Sequence, residues 1–251
     1  MSQEKHAMST DELSIAILTT ETVHHAYFVK RVAERFSKVR VFIDNRVLSA
    51  PFETAHDYEI KREAYEKEIW FGDAKYQLAC FADCLAFENI NINAAKQALA
   101  DYQADIYIVF GTGKIAKSTC ECYAGRLVNL HGGDPEQYRG LDSHLWALYH
   151  RDKSGLITTL HEINSTLDDG NIINTMLLPL NNIKQLSHLR KENTEVCVQL
   201  VLNFLDDFKK RRVIHAFKQK KIGRYYSFMP TVLKEWIHEN FNRGLYDELF
   251  K

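Results

Sequence analysis

Asn129 and His131 stand two residues apart at the end of the apolar run Arg126–Leu130, and Gly132 and Gly133 follow them. Side chains two apart in a strand project from the same face, so the amide and the imidazole would stand side by side. The two glycines let the chain turn sharply beside the ring. Asp168 comes later, before Gly170, between two apolar runs. A loop there could bring its carboxylate across a cleft from the other two groups. An Asn amide is a fixed donor that can stabilise a developing oxyanion. A His takes or gives a proton near neutral pH. An Asp can orient or charge the His, or accept a proton through water. Together these groups suit acyl transfer to an amine. No Ser or Cys stands in a G-x-S-x-G elbow, so direct transfer without a covalent acyl-enzyme is favoured. An Asn and a His at a strand end can equally be a hydrogen-bonded structural pair, and spacing alone leaves both readings open.

Such groups need a sheet to carry them. Leu13–Thr19 is short and apolar, as a buried strand is. His24–Phe36 has helical spacing, with Ala26, Val29, Val32 and Phe36 on one face. Val39–Ile43 completes a βαβ unit. The charged and aromatic residues 52–88 are expected to be helical, as is Ala94–Tyr102. Asp105–Phe110 is a strand that ends in Gly111-Thr112-Gly113. Further strands are expected over Arg126–Leu130, Gly155–Ile163 and Ile172–Leu178, with a helix over Leu141–His150. Helix is expected again from about 183 to 210, a strand-like segment at Arg224–Phe228, and a last helix at Thr231–Asn242. The alternation predicts an α/β fold, a doubly wound, Rossmann-like, mostly parallel sheet. Residues 1–12 read as a flexible N-terminal arm, 13–182 as the catalytic domain, and 183–251 as a C-terminal helical extension with a short β-hairpin. Open α/β sheets place their sites at the carboxyl ends of the strands, where Asn129 and His131 stand.

Bulk properties narrow the partners. Thirty-two Lys and Arg nearly cancel thirty-three Asp and Glu, so nucleic acid is not expected. The odd count of five cysteines in 251 residues is no disulfide scaffold, and free thiols suit a reducing compartment. Neither Cys80/Cys84 nor Cys120/Cys122 has a second pair at zinc-site spacing, and no metal is expected. No apolar run approaches the ~20 residues that span a bilayer, and the first dozen residues lack a signal-peptide core. A cytoplasmic protein without a membrane partner is expected.

The stretch from Tyr123 to His131 (YAGRLVNLH), Tyr138-Arg139-Gly140, Thr159, His161 and Leu167-Asp168-x-Gly170 resembles the formyltransferases that use N10-formyltetrahydrofolate. His161 and Asp168 keep the family's seven-residue gap. The resemblance implies that Asn129, His131 and Asp168 are the catalytic Asn, His and Asp. It implies folate binding by Phe110, Gly111, Thr112, Gly113, Lys114 and Ile115, together with Leu167, Asp169 and Gly170. It places the acceptor near Gly132, Gly133, Tyr138, Arg139 and His161. Two departures stand out. Thr19–His25 replaces the Gly-Ser-Asn phosphate loop of glycinamide ribonucleotide formyltransferases, which argues against a purine enzyme. Gly132–Glu136 replaces the usual Ser-Leu-Leu-Pro loop. The Gly-Gly loop, the Tyr138–Ser143 run and the aromatic Arg224–Phe228 look more like bacterial sugar N-formyltransferases. Those enzymes formylate a nucleotide-linked amino sugar for surface polysaccharide, and the resemblance implies a homodimer. A formyltetrahydrofolate hydrolase, a glycinamide ribonucleotide-type formyltransferase and a non-enzymatic folate- or nucleotide-binding protein are the competing readings. His24-His25 reads as a helix start, with a substrate contact as the alternative, and Arg139 as either a diphosphate partner or a surface residue. Tyr225, Tyr226 and Phe228 suit packing or the stacking of a base.

Overall fold

The computed structural model describes residues 12–164 and 168–250. The arm expected at the N-terminus falls, but for Glu12, outside the described residues, and so does Leu167. The chain runs β1 (Ile15–Thr19), α1 (Val23–Ala33), β2 (Val39–Asp44), α2 (Asp57–Trp70), β3 (Asp83–Phe87), α3 (Asn93–Tyr102) and β4 (Ile106–Phe110). It continues through α4 (Lys117–Cys122), β5 (Leu127–His131), β6 (Tyr138–Gly140), α5 (Ser143–Tyr149), β7 (Ile157–Glu162) and β8 (Ile172–Leu177). It ends with α6 (Leu189–Arg211), β9 (Arg224–Tyr226) and α7 (Thr231–Asn242).

Seven strands form one sheet in the order β3-β2-β1-β4-β5-β7-β8. The first five are parallel, and β7 and β8 pair antiparallel at one side. The central strands β1 (IAILT) and β4 (IYIVF) are buried along their whole length. Such continuous apolar text is what a parallel strand needs when helices cover both faces. Alternate residues divide between two cores. Ile15, Ile17, Ile106 and Ile108 join α1 and α6, while Ala16, Leu18, Tyr107 and Val109 join α3 and Tyr123. The chain winds outward from β1 to β3, then returns to place β4 on the other side of β1. Connections diverge there, and a crevice opens at the carboxyl ends of β1 and β4.

Two expectations are corrected. Residues 52–88 are not helix throughout, because β3 forms the sheet edge and pairs with β2 alone. α2 within that stretch starts at His56, whose Nδ1 accepts the Tyr58 amide at 3.1 Å while the His56 amide donates to Glu59. The C-terminal segment holds no hairpin at 224–228. β9 pairs in parallel with β6, and a hairpin requires antiparallel strands. α6 adds Val196, Cys197, Leu200 and Val201 to the core that Ile15 and Ile17 share. All five cysteines are free. Among the described residues no helix is long and apolar enough to cross a membrane.

Candidate active site

β5 and β7 bring the first groups together. Their antiparallel register sets Asn129 opposite His161 and His131 opposite Thr159. Opposed side chains on one face lie close, and the Asn129 amide Nδ2 reaches His161 Nε2 at 3.0 Å. The other nitrogen of His161, Nδ1, lies 2.7 Å from the Glu162 carbonyl. A carbonyl only accepts, so Nδ1 carries the proton and a neutral His161 accepts from Asn129 through Nε2. The same reasoning settles His131. Its Nε2 lies 2.6 Å from the Tyr138 carbonyl and must donate, which leaves Nδ1 facing Asp168 Oδ2 at 3.7 Å.

Asp168 reaches these rings from the β7–β8 connection. Its backbone is left-handed, at φ 51°, a conformation that Asp tolerates better than most residues. Gln219 donates to the carbonyls of Asp168 at 3.0 Å and Gly170 at 2.8 Å, tying the loop to the C-terminal segment. A Cβ on Gly170 would run into the Glu162 carbonyl, so the loop packs against β7 only because that residue is glycine. The Asp168 carboxylate accepts the Gly140 amide at 2.8 Å and lies 3.5 Å from both Asn129 Nδ2 and His161 Nε2. Burial alone would raise its pKa. The Gly140 amide, and the positive charge of His131 or His161 whenever either ring is protonated beside it, outweigh that and hold the carboxyl well below the usual range.

These groups line a cavity of about 760 Å³ at the switch point of the sheet. One wall is the loop after β4, another is residues 48–52, and the C-terminal segment adds Tyr225 and Phe228. His25 packs edge-on against Phe110, with ring centroids 4.7 Å apart. Burial above all, and Arg190 secondarily, push its pKa down to about 3, so the ring is neutral near neutral pH. Its Nδ1 lies 2.9 Å from the hydroxyls of both Thr20 and Thr22, while Nε2 is buried without a partner. Gly111, at φ 84°, sits where any side chain would collide with that imidazole.

Many of the residues expected from the sequence meet here. Asn129, His131 and Asp168 converge, and Phe110, Gly111, Thr112, Gly113, Lys114, Ile115, Gly132 and His161 line the same cavity. Others stand elsewhere. Tyr138 turns its ring away, stacking on Tyr226 at 5.5 Å and bonding Asp152 through its hydroxyl at 2.9 Å, and only its carbonyl serves the site by holding His131. β6 pairs with β9, which commits Tyr138 to that inner face. Arg139, also on β6, lines neither this cavity nor the smaller one beside it. Gly133 packs against Ser143 and His131, and Asp169 and Gly170 lie behind Asp168 rather than on the cavity wall. His161 reaches the wall but spends both ring nitrogens within the protein, which suits a positioning group better than a direct substrate contact. The sequence reading favoured a helix start over a substrate contact for His24-His25, and passed over residues 48–52. The His pair carried a signal, since it directly follows the first strand, where such sheets bind ligands.

A family model described as formyl transferase matches residues 54–205, more than half of the chain. No curated protein sequence matches it. Among solved structures, HypX from Aquifex aeolicus in complex with tetrahydrofolic acid is 18% identical with a TM-score of 0.56, covering 89% of this chain and 31% of its own. The chain thus spans about a third of that protein. The N-formyltransferase from Helicobacter canadensis, with folinic acid and dTDP-3-aminofucose, is 14% identical with a TM-score of 0.55, covering 86% and 71%. The formyltransferase PseJ from Anoxybacillus kamchatkensis, with tetrahydrofolate and UDP-4,6-dideoxy-4-formamido-L-AltNAc, is 17% identical with a TM-score of 0.50, covering 85% of each chain. At these identities the likeness is one of fold.

Proposed function

The chain belongs to the formyl transferase family, and from that premise we propose that it moves a formyl group from N10-formyltetrahydrofolate to the amine of a nucleotide-linked amino sugar. The observation that carries this reading is the convergence of Asn129, His131 and Asp168 on one cavity whose volume suits a small-molecule site. The sugar is suggested by the ligands of the Helicobacter and Anoxybacillus proteins. The folate ring fits between the loop after β4 and the loop that carries Asp168. No phosphate cradle of glycines follows β1, which disfavours glycinamide ribonucleotide as acceptor. Motif resemblance extends the reading to a homodimer serving surface-polysaccharide assembly, and the free thiols extend it to a reducing, cytoplasmic compartment.

In this reading each group has a defined part. The acceptor amine bonds to the formyl carbon, and the bond from that carbon to N10 breaks. His131 Nδ1, the free nitrogen of a ring fixed at Nε2, takes the proton the amine loses and yields it to N10. Asp168, ionised across the neutral range, stabilises the imidazolium in between. Once charged, His131 is also a donor toward the oxyanion. Asn129 adds a second donor, because its contact with Asp168 at 3.5 Å is weak and gives way to a closer acceptor. His161 holds the Asn129 amide in place.

The test is incubation with N10-formyltetrahydrofolate and a panel of nucleotide-linked amino sugars, with glycinamide ribonucleotide and a no-acceptor control, followed by mass spectrometry. A formylated sugar nucleotide is the expected product. Formate released without acceptor would make the protein a hydrolase, and formylated glycinamide ribonucleotide would make it a purine enzyme. Failure to bind folate would remove the reading altogether.

A further inference from the structure

A second cavity, about 220 Å³, lies beside the first and shares His131, Gly132, Gly140 and Leu141 with it. Its remaining wall comes from α2, α5 and the start of α6, including Tyr58, Arg62, Ser143 and Arg190. Three polar atoms of these residues are buried without a hydrogen-bond partner: Tyr58 Oη, Arg62 Nε and Ser143 Oγ. Tyr58 is only 3% exposed and Ser143 4%. Buried polar groups are normally paired, and each exception asks for an explanation. Here three of them, every one able to donate, belong to residues that line a single void.

The charges around the void are unevenly matched. Arg190 forms a two-pronged pair with the buried Glu66 at 2.7 and 2.5 Å. Lys234 is held by Glu59 at 3.2 Å and the Thr54 carbonyl at 2.7 Å, and lies 3.8 Å from Asp142. Among the described residues the ion-pair partner of Arg62 is Glu59, at 3.5 Å, which already serves Lys234 and the His56 amide, and the guanidinium otherwise lies over the Tyr58 ring at 5.7 Å. Asp142 also lines the void, but its carboxylate accepts the Met229 amide at 2.8 Å and burial raises its pKa. Burial and the neighbouring Arg190 push the Arg62 guanidinium down, as expected of a cation short of counter-charge.

We infer that this cavity seats an oxyanion of the acceptor, a phosphate or a carboxylate, with Arg62 as its charge partner and the Tyr58 and Ser143 hydroxyls as donors. The planar guanidinium and the two hydroxyls match such a group in charge and in hydrogen-bonding sense. Because the two cavities meet at His131 and Gly140, an acceptor anchored there lies against the imidazole that would take its proton. The assignment to the acceptor rests on the formyl-transfer reading, whereas the anion site itself does not.

The experiment titrates the full chain with inorganic phosphate and, separately, with acetate, by calorimetry, and compares Arg62→Met, Arg62→Lys and the pair Tyr58→Phe with Ser143→Ala. Binding of 5-formyltetrahydrofolate to each variant reports the large cavity and the fold. One anion should bind the unaltered protein at one site, with the preferred probe distinguishing phosphate from carboxylate. Arg62→Met should weaken it by about tenfold or more, Arg62→Lys by less, and folate binding should persist in both. Phosphate should also compete with the acceptor and not with folate in the transfer assay. If neither anion binds, or Arg62→Met binds as the unaltered protein does, the cavity holds water only and the inference fails. Anion binding without competition would overturn the acceptor assignment. Anion binding without folate binding would instead sink the formyl-transfer reading and leave the anion site standing.

Discussion

Replacing Asp168 by Asn tests the chemistry most directly. The two side chains have nearly the same shape, and an amide oxygen can still accept the Gly140 N–H that the carboxylate accepts at 2.8 Å. What disappears is the charge 3.7 Å from His131 Nδ1. At that distance and an effective dielectric near 20, a carboxylate favours an imidazolium by about 4 kcal/mol. If all of that is realised as His131 takes the proton, the chemical step slows by about a thousandfold. Single-turnover transfer of the formyl group, followed by mass spectrometry with folate affinity measured alongside, reads the effect. The expected result is a large loss of rate with folate affinity nearly unchanged. A loss smaller than about tenfold, in a folded variant that still binds folate, would show that the charge does not act on the proton transfer.

Three further outcomes follow from the same geometry. His161→Leu should lower the turnover rate by about ten- to a hundredfold with little change in folate affinity, since Asn129 loses the acceptor that fixes its amide; a changed folate affinity alone would point instead to a binding role. Gly111→Ala places a side chain at φ 84° and against His25, and should cost about 2 kcal/mol and lower the melting midpoint by about 4–8 °C; calorimetry checks this. His25 and His144 are buried, with pKa values lowered to about 3 and about 4 from 6.5, chiefly by burial. The unfolded chain therefore binds protons below 6.5 that the folded one refuses. Their contribution is fully present above 6.5 and drains away as the pH falls toward the folded values, at up to about 2.7 kcal/mol per unit for the two together. Denaturant melts over that window should be steeper for the unaltered protein than for His144→Gln.

Period and order were legible where the residues themselves carry the constraint. β1 and β4 read as buried strands because nearly every residue is apolar, and Asn129 and His131 read as neighbours because a strand repeats every two residues. β3 was hidden because an edge strand paired on one side tolerates text such as DCLAF, in which Asp83 and Ala86 are exposed. The hairpin was expected because Arg224–Phe228 reads as a strand with no visible partner. Its partner, β6, lies far back in the chain, and nothing local records that pairing. Tyr138 was misplaced for the same reason, since its environment is set by Tyr226. The meeting of Arg62 with Arg190 is equally remote. On its own helix each reads as a solvated cation, and only the packing of α6 shows what surrounds them.

Gly140 joins three of these features. Its amide seats Asp168, its φ is 94°, and a Cβ there would strike the Tyr226 carbonyl, whose strand closes over it. Gln219 adds a second tie from the same late segment to Asp168 and Gly170. Seen from the ribosome, Asn129, His131 and Asp168 all emerge before the segment that locks them together. A chain cut before residue 219 would keep all three groups and lose the Gln219 and Tyr226 contacts that hold the Asp168 loop and Gly140 in place.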